Sequence, residues 1–154
     1  MITISDILHP DHIELDLRAT EAKPAIDEVT ALLKNNPGVC DWDALYKGVH
    51  HAAPCLPEPA GGFSLCIPHT RGECVSAMVM SVGRSAAGII FPGVPLPVRY
   101  LFCIGVPRAL AADYLRIVGL LARVFKDRAE EEELRVIESG ADFINRLSRR
   151  EAKL

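Results

Sequence analysis

The segment Phe63-Ser64-Leu65-Cys66-Ile67-Pro68-His69-Thr70-Arg71-Gly72 runs from an apolar stretch directly into an imidazole, a hydroxyl and a guanidinium. Pro68 fixes its own φ and biases Ile67 toward extended backbone, so the chain reaching His69 is constrained before it turns at Gly72. Neutral imidazole is a nitrogen nucleophile and can carry a phosphoryl group reversibly, provided nearby donors offset the added charge. Arg71 can make charge-assisted contacts to phosphoryl oxygens, and the Thr70 hydroxyl can add a neutral one. Residue chemistry alone leaves open a histidine that merely occupies the loop after a strand.

Other chemistry-bearing groups are weaker candidates. Cys66 and Cys74 flank His69, and with it they form a conceivable zinc site. No CxxC pair exists, however, and no second pair closes a shell, so the expectation is no metal and no cofactor. Cys40, Cys55 and Cys103 complete a set of five cysteines, an odd number read as reduced thiols, with Cys66 and Cys103 buried and no disulfide. His9 and His12, near the start of the chain, are assigned no role. The carboxylates of residues 130–133 read as a helix N-terminus favoured by the dipole. GxxxxGK[ST], GxGxxG, GxSxG and HExxH patterns are all missing, which removes support for direct nucleotide binding, serine hydrolysis and zincin chemistry.

The elements that must position His69 follow from hydrophobic periodicity. In residues 12–17, Ile13, Leu15 and Leu17 alternate with Glu14 and Asp16, as in a half-buried strand. Thr20 is placed to cap a helix carrying Ala25, Ile26, Val29, Leu32 and Leu33, which Asn35-Asn36-Pro37-Gly38 ends. Asp41 caps a second helix over 42–51, and Pro54, Pro57, Pro59, Gly61 and Gly62 mark the loop after it. Short apolar runs at 63–67, 75–82, 86–91 and 98–106 read as strands, with Pro92, Pro95 and Pro97 in a connecting loop. Tyr114, Ile117, Val118, Leu121, Val124 and Phe125 then form a helical stripe, followed by helices over 131–139 and 141–149 split by Gly140. Strands in the middle and helices at both ends indicate an α/β fold, a mixed β-sheet flanked by helices on both faces.

The 154 residues suit one domain, 1–154. A net charge of −3 leaves no basic footprint for nucleic acid. The apolar runs are interrupted too soon to span a bilayer, and the N-terminus has no basic or apolar leader, so the expected location is cytoplasmic without membrane insertion.

Ile67-Pro68-His69-Thr70-Arg71 resembles the active-site signature of the enzyme IIA domains of the sugar phosphotransferase system, fructose/mannitol class, including stand-alone nitrogen-regulatory members. Thr3-Ile4-Ser5-Asp6-Ile7-Leu8, Leu15-Asp16-Leu17, Gly83-Arg84 with Gly88-Ile89, and Pro97-Val98 through Val106-Pro107 before a leucine-rich helix follow in the family's order. The resemblance covers nearly the whole chain and implies the corresponding sandwich fold. It also implies a phosphoryl carrier for sugar transport or nitrogen regulation. His69 would accept from an HPr-like phosphocarrier protein and pass the group to a cysteine of an enzyme IIB, or act on a regulated target protein.

Two family features differ. An arginine expected near the end of the second helix is absent, leaving Lys47, His50 or His51 as the cation. The second active-site histidine is replaced by Tyr114, which can donate a hydrogen bond but carries no positive charge. These departures favour the alternative of a phosphorylation-impaired binding module with the same fold. The segment Pro57-Glu58-Pro59-Ala60-Gly61-Gly62 also replaces the usual approach to the signature.

Overall fold

The computed structural model describes residues 1–57 and 64–153. Within them a six-stranded sheet has the order β1(Ile13–Glu14), β5(Val79–Ile89), β6(Val98–Val106), β3(Ser64–Cys66), β2(Cys55–Pro57), and β4(His69–Arg71) also pairs with β6. The pairings β1–β5, β3–β6 and β4–β6 are parallel, whereas β2–β3 and β5–β6 are antiparallel, so the sheet is mixed. The helices are α1(Ile4–Ile7), α2(Ala22–Ala31), α3(Trp42–His51), α4(Ala111–Lys126), α5(Arg128–Val136) and α6(Gly140–Ala152).

β6 is buried along its whole length, and its side chains alternate between two cores. Tyr100, Phe102, Ile104 and Val106 meet Ile117, Leu121, Phe125, Leu134 and Phe143 of α4, α5 and α6. Val98, Leu101 and Cys103 meet Ala25, Val29, Leu45 and Val49 of α2 and α3. Helices therefore cover both faces, as the apolar strand pattern predicts.

The element boundaries depart from the sequence expectation in several places, the first being that Pro57, expected in the loop after the second helix, ends the short strand β2. Of the 12–17 alternation, His12 belongs to the 3₁₀ turn Pro10–His12, Ile13 and Glu14 form the parallel ladder with β5, and Leu17 adds a single bond by donating to the Arg84 carbonyl at 2.9 Å. Thr20 is not the cap of α2. Its carbonyl accepts the Ile90 N–H at 2.9 Å, and Glu21, whose side chain makes no capping bond, occupies that position. The later part of the 75–82 run, from Val79, and the 86–91 run as far as Ile89 merge into β5. Arg84 stays within that strand because its guanidinium reaches carbonyls of Leu15, Leu134 and Ile137 at 2.7–3.1 Å. Gly88, at φ 86, absorbs the register shift between Arg84 and Ile89, a backbone region that disfavours side chains. Finally, α5 begins at Arg128, earlier than expected, because Asp127 accepts from the amides of Ala129 and Glu130. Asp41 caps α3 as expected, accepting from Ala44 at 3.1 Å. The expected strand residue Phe63 and loop residues Glu58, Pro59, Ala60, Gly61 and Gly62 lie outside the described residues.

Candidate phosphoryl-accepting site

Two short strands lie in line along β6, interrupted at Ile67-Pro68. β3 pairs with Val98, Tyr100 and Leu101, and β4 with Ile104, Gly105 and Val106. Proline has no N–H for the ladder, so pairing stops at Pro68, whose carbonyl still accepts from Ile104 at 2.9 Å. The sequence expectation ended the strand before His69. The ladder instead resumes for three residues because β6 extends to Val106, and Gly72 then donates to the Val106 carbonyl and leaves the sheet. On its other side the His69 N–H donates to the Ala52 carbonyl at 2.9 Å, tying the histidine backbone to the end of α3.

The His69 ring is held as well. Its Nδ1 lies 3.0 Å from the Ile67 carbonyl oxygen. A carbonyl only accepts, so Nδ1 is the protonated nitrogen, and in the neutral ring Nε2 carries the lone pair. The Tyr114 ring lies 4.9 Å from the His69 ring, centroid to centroid, tilted by 31°. Burial raises the Tyr114 phenol above its ordinary value, so the hydroxyl stays protonated and able to donate.

His69 is half-buried and lines an open depression of about 410 Å³ with Thr70, Arg71, His51, Gly48 and Tyr114, closed by Ala52, Val106, Ala111 and Leu115. None of the lining residues is acidic. Ala111 opens the 16-residue α4, whose N-cap Leu110 offers no side-chain acceptor, so first-turn amides of a positive helix end adjoin the depression. A ring nitrogen with a free lone pair, a guanidinium, two hydroxyls and a helix N-terminus form a site for transferring and holding an oxyanion.

Of the three cations considered in place of the missing arginine, His51 lines the depression. His50 does not, because its Nε2 is 2.7 Å from Asp27 Oδ1 on α2. Burial opposes ionisation of Asp27, but hydrogen bonds from Tyr46 and His50 outweigh it and hold the carboxyl below its ordinary range. Lys47 is exposed and is not among the lining residues. Sequence reasoning missed Gly48, although a glycine inside a helix is a usable signal. A Cβ there would lie 2.3 Å from Thr70 Oγ1, so the side-chain-free position lets α3 approach β4. Ala111 and Leu115 were also missed, since only tertiary packing brings α4 to this strand end. Cys66 and Cys74 belong to the core on the α2/α3 face, and among the described residues no three His, Cys, Asp or Glu side chains gather to hold a metal.

A sheet covered by helices on both faces, with a histidine presented at the end of a proline-interrupted strand, defines the class to which the comparisons point. The family model described as phosphoenolpyruvate-dependent sugar phosphotransferase system, EIIA 2, matches residues 6–150, and the chain belongs to that family. It is 37% identical over 79 residues to a fructose-specific EIIA component of Haloferax volcanii; the match spans 51% of this chain and 51% of that relative. Its fold is similar to the nitrogen regulatory protein IIA-Ntr from Neisseria meningitidis, with TM-score 0.81 and 23% identity, covering 94% of this chain and 98% of that one. It is also similar to the mannitol enzyme IIA of Escherichia coli solved in complex with phosphorylated enzyme IIB. That match has TM-score 0.69 and 15% identity, over 91% of this chain and 96% of that one. No helix among the described residues is long and apolar enough to cross a membrane.

Proposed function

We propose that this protein is a phosphoryl carrier whose His69 Nε2 accepts the group from the phosphohistidine of an HPr-like donor and yields it to an enzyme IIB or uses it in regulation. The carrying observation is the 3.0 Å contact between Nδ1 and the Ile67 carbonyl, which selects Nε2 as the nucleophile in a depression without carboxylates. In the transfer, the Nε2 lone pair attacks phosphorus while the donor's P–N bond breaks and its electrons return to the donor imidazole. Arg71 then offsets the charge on the phosphoryl oxygens, and the first amides of α4 and the Thr70 hydroxyl add donors. Nδ1–H keeps its carbonyl partner throughout, so the ring does not need to reorient.

The match to an enzyme IIB complex supports a protein acceptor, and the IIA-Ntr likeness supports a regulatory role without identifying its target. The expected work is that of a single domain in the cytoplasm, without nucleic acid, metal or cofactor. The alternative, a docking module with impaired phosphorylation, is favoured by one observation: an uncharged Tyr114 packs on His69 where the family's second histidine is expected.

Incubation with phosphoenolpyruvate, enzyme I and the HPr-like donor, followed by intact-mass measurement, separates the two. The carrier gains one acid-labile phosphoryl group that His69→Ala does not take. A parent that stays unlabelled, or a His69→Ala variant labelled equally well, selects the docking module.

A further inference from the structure

Cys55 on β2 and Cys66 on β3 are directly opposite each other in the antiparallel pair. Continuing that register, Pro54 faces Ile67, and the Ile67 N–H donates to the Pro54 carbonyl at 2.9 Å. Pro54/Ile67 is therefore a hydrogen-bonded pair lacking only the N–H that proline cannot supply. Facing pairs alternate in type, which makes Cys55/Cys66 a non-hydrogen-bonded pair. At such pairs Cα atoms are about 4.5 Å apart and side chains are closest. That spacing falls within the roughly 4.4–6.8 Å that a disulfide spans. Both sulfurs also converge on one acceptor, the Ala53 carbonyl, at 3.9 Å for Cys55 and 3.4 Å for Cys66.

The two thiols differ in reactivity. Cys55 is half-buried and within reach of a solute, whereas Cys66 is fully buried. A hydrogen bond from Cys66 lowers the Cys55 thiol below its ordinary value, and the same bond, with burial, raises Cys66. Because a solute can reach Cys55 but not Cys66, Cys55 is the attacking thiol and Cys66 the resolving one.

We propose that Cys55 and Cys66 form a reversible cross-strand dithiol/disulfide site that is oxidised by a low-molecular-weight disulfide of the glutathione type. The Cys55 thiolate attacks one sulfur of the oxidant, forming a mixed disulfide and releasing one thiolate that takes up the Cys55 proton. Cys66 Sγ then attacks Cys55 Sγ. The mixed bond breaks, and the second small thiol leaves with the Cys66 proton. Two cysteine thiols are oxidised and one small disulfide is reduced to two thiols. The bond joins the edge strand β2 to the strand that leads into Pro68 and His69. The site stands independently of any transfer at His69.

The test incubates the full chain, native and fully reduced, with oxidised glutathione and then alkylates the remaining thiols under denaturing conditions. Two of the five thiols are expected to disappear, with a mass loss of two hydrogens and one cross-linked fragment pair containing Cys55 and Cys66 that dithiothreitol separates. Cys40→Ser removes the exposed thiol, with any glutathionyl adduct it takes, and the Cys55–Cys66 bridge is expected to form unchanged. Cys66→Ser should stop at one glutathionyl adduct on Cys55, and Cys55→Ser should neither bridge nor take an adduct at Cys66. Retention of all five thiols under excess oxidised glutathione, or a bridge between any other pair, overturns the proposal. So does glutathionylation of Cys66 in Cys55→Ser.

Discussion

A histidine whose Nδ1 is committed to a backbone carbonyl has one nitrogen left for chemistry, and the groups around that nitrogen then set how well a transferred anion is held. Arg71 is the permanent cation of the depression and among the described residues has no carboxylate partner to neutralise it. Arg71→Ala should keep the fold and lower the equilibrium constant for phosphorylation by the donor by about 1–2 kcal/mol, roughly 5- to 30-fold, because its charge-assisted contact is strong but the side chain is exposed and partly screened. His51→Ala should lower it less, by up to about 1 kcal/mol, because an exposed imidazole lacks the permanent charge and paired donors of a guanidinium. Lys47→Ala and His50→Ala should leave the label unchanged, since the first lies outside the depression and the second is bound to Asp27. Intact-mass titration against the phosphorylated donor distinguishes these outcomes, and an effect of Lys47→Ala equal to that of His51→Ala would refute the assignment.

Between elements, the contact of α3 with β4 is the close approach on which the site depends. The Ala52 carbonyl at the end of α3 accepts the His69 N–H, and Gly48, one turn earlier, leaves room for Thr70. Gly48→Ala improves intrinsic helix propensity by about 1 kcal/mol but places a methyl group in the space Thr70 already fills. Displacing Thr70 moves β4, so the net change should be a loss of about 1–3 kcal/mol, read as a lower urea midpoint at constant m-value. A stabilised Gly48→Ala protein would mean that α3 is free to shift away from the strand.

At the scale of the whole molecule, a buried ion cluster joins the sheet to the C-terminal helices. Val98 and Tyr100 pair across both neighbouring strands while Arg99 is passed over, a bulge that turns Arg99 toward the same side as Tyr100. Both reach the buried Glu131 of α5, Arg99 at 3.4 Å and Tyr100 at 3.1 Å, and Arg135 pairs with the same carboxylate. Burial disfavours the charged carboxylate, but the hydrogen bonds and charges of Arg135, Arg99 and Tyr100 outweigh it, so Glu131 is held below its ordinary 4.5. A depressed carboxyl contributes stability that is fully present above the unfolded value and is lost as pH falls through the folded one. The urea midpoint should therefore decline as pH drops below about 4.5, and Glu131→Gln should show a shallower decline. At neutral pH that variant should be about 1–3 kcal/mol less stable, because the neutral amide makes weaker hydrogen bonds to the buried Arg99 and to Tyr100 than the carboxylate does. Equal acid sensitivity in parent and variant would contradict the coupling.

Residue type and spacing alone establish the central strands with helices at both ends, the near-continuous apolar character of β6, the Asp41 cap and the proline-led approach to His69. Each is a local property, readable from residue type and spacing because backbone propensity and hydrophobic period act over a few positions. Long-range packing sets which nitrogen of His69 is free, that His51 rather than Lys47 or His50 faces the depression, and that Leu110 and Ala111 bring a helix N-terminus beside it. It also gives two of the carboxylates in residues 130–133, which lie in the first turn of α5 as expected, distant cations as partners: Glu131 is buried against Arg99 and Glu130 is paired with Arg146 at 2.7 Å. These outcomes depend on contacts between residues tens of positions apart, set by β6 pairing with β3, β4 and β5, and no local pattern encodes which side chain meets which across a sheet.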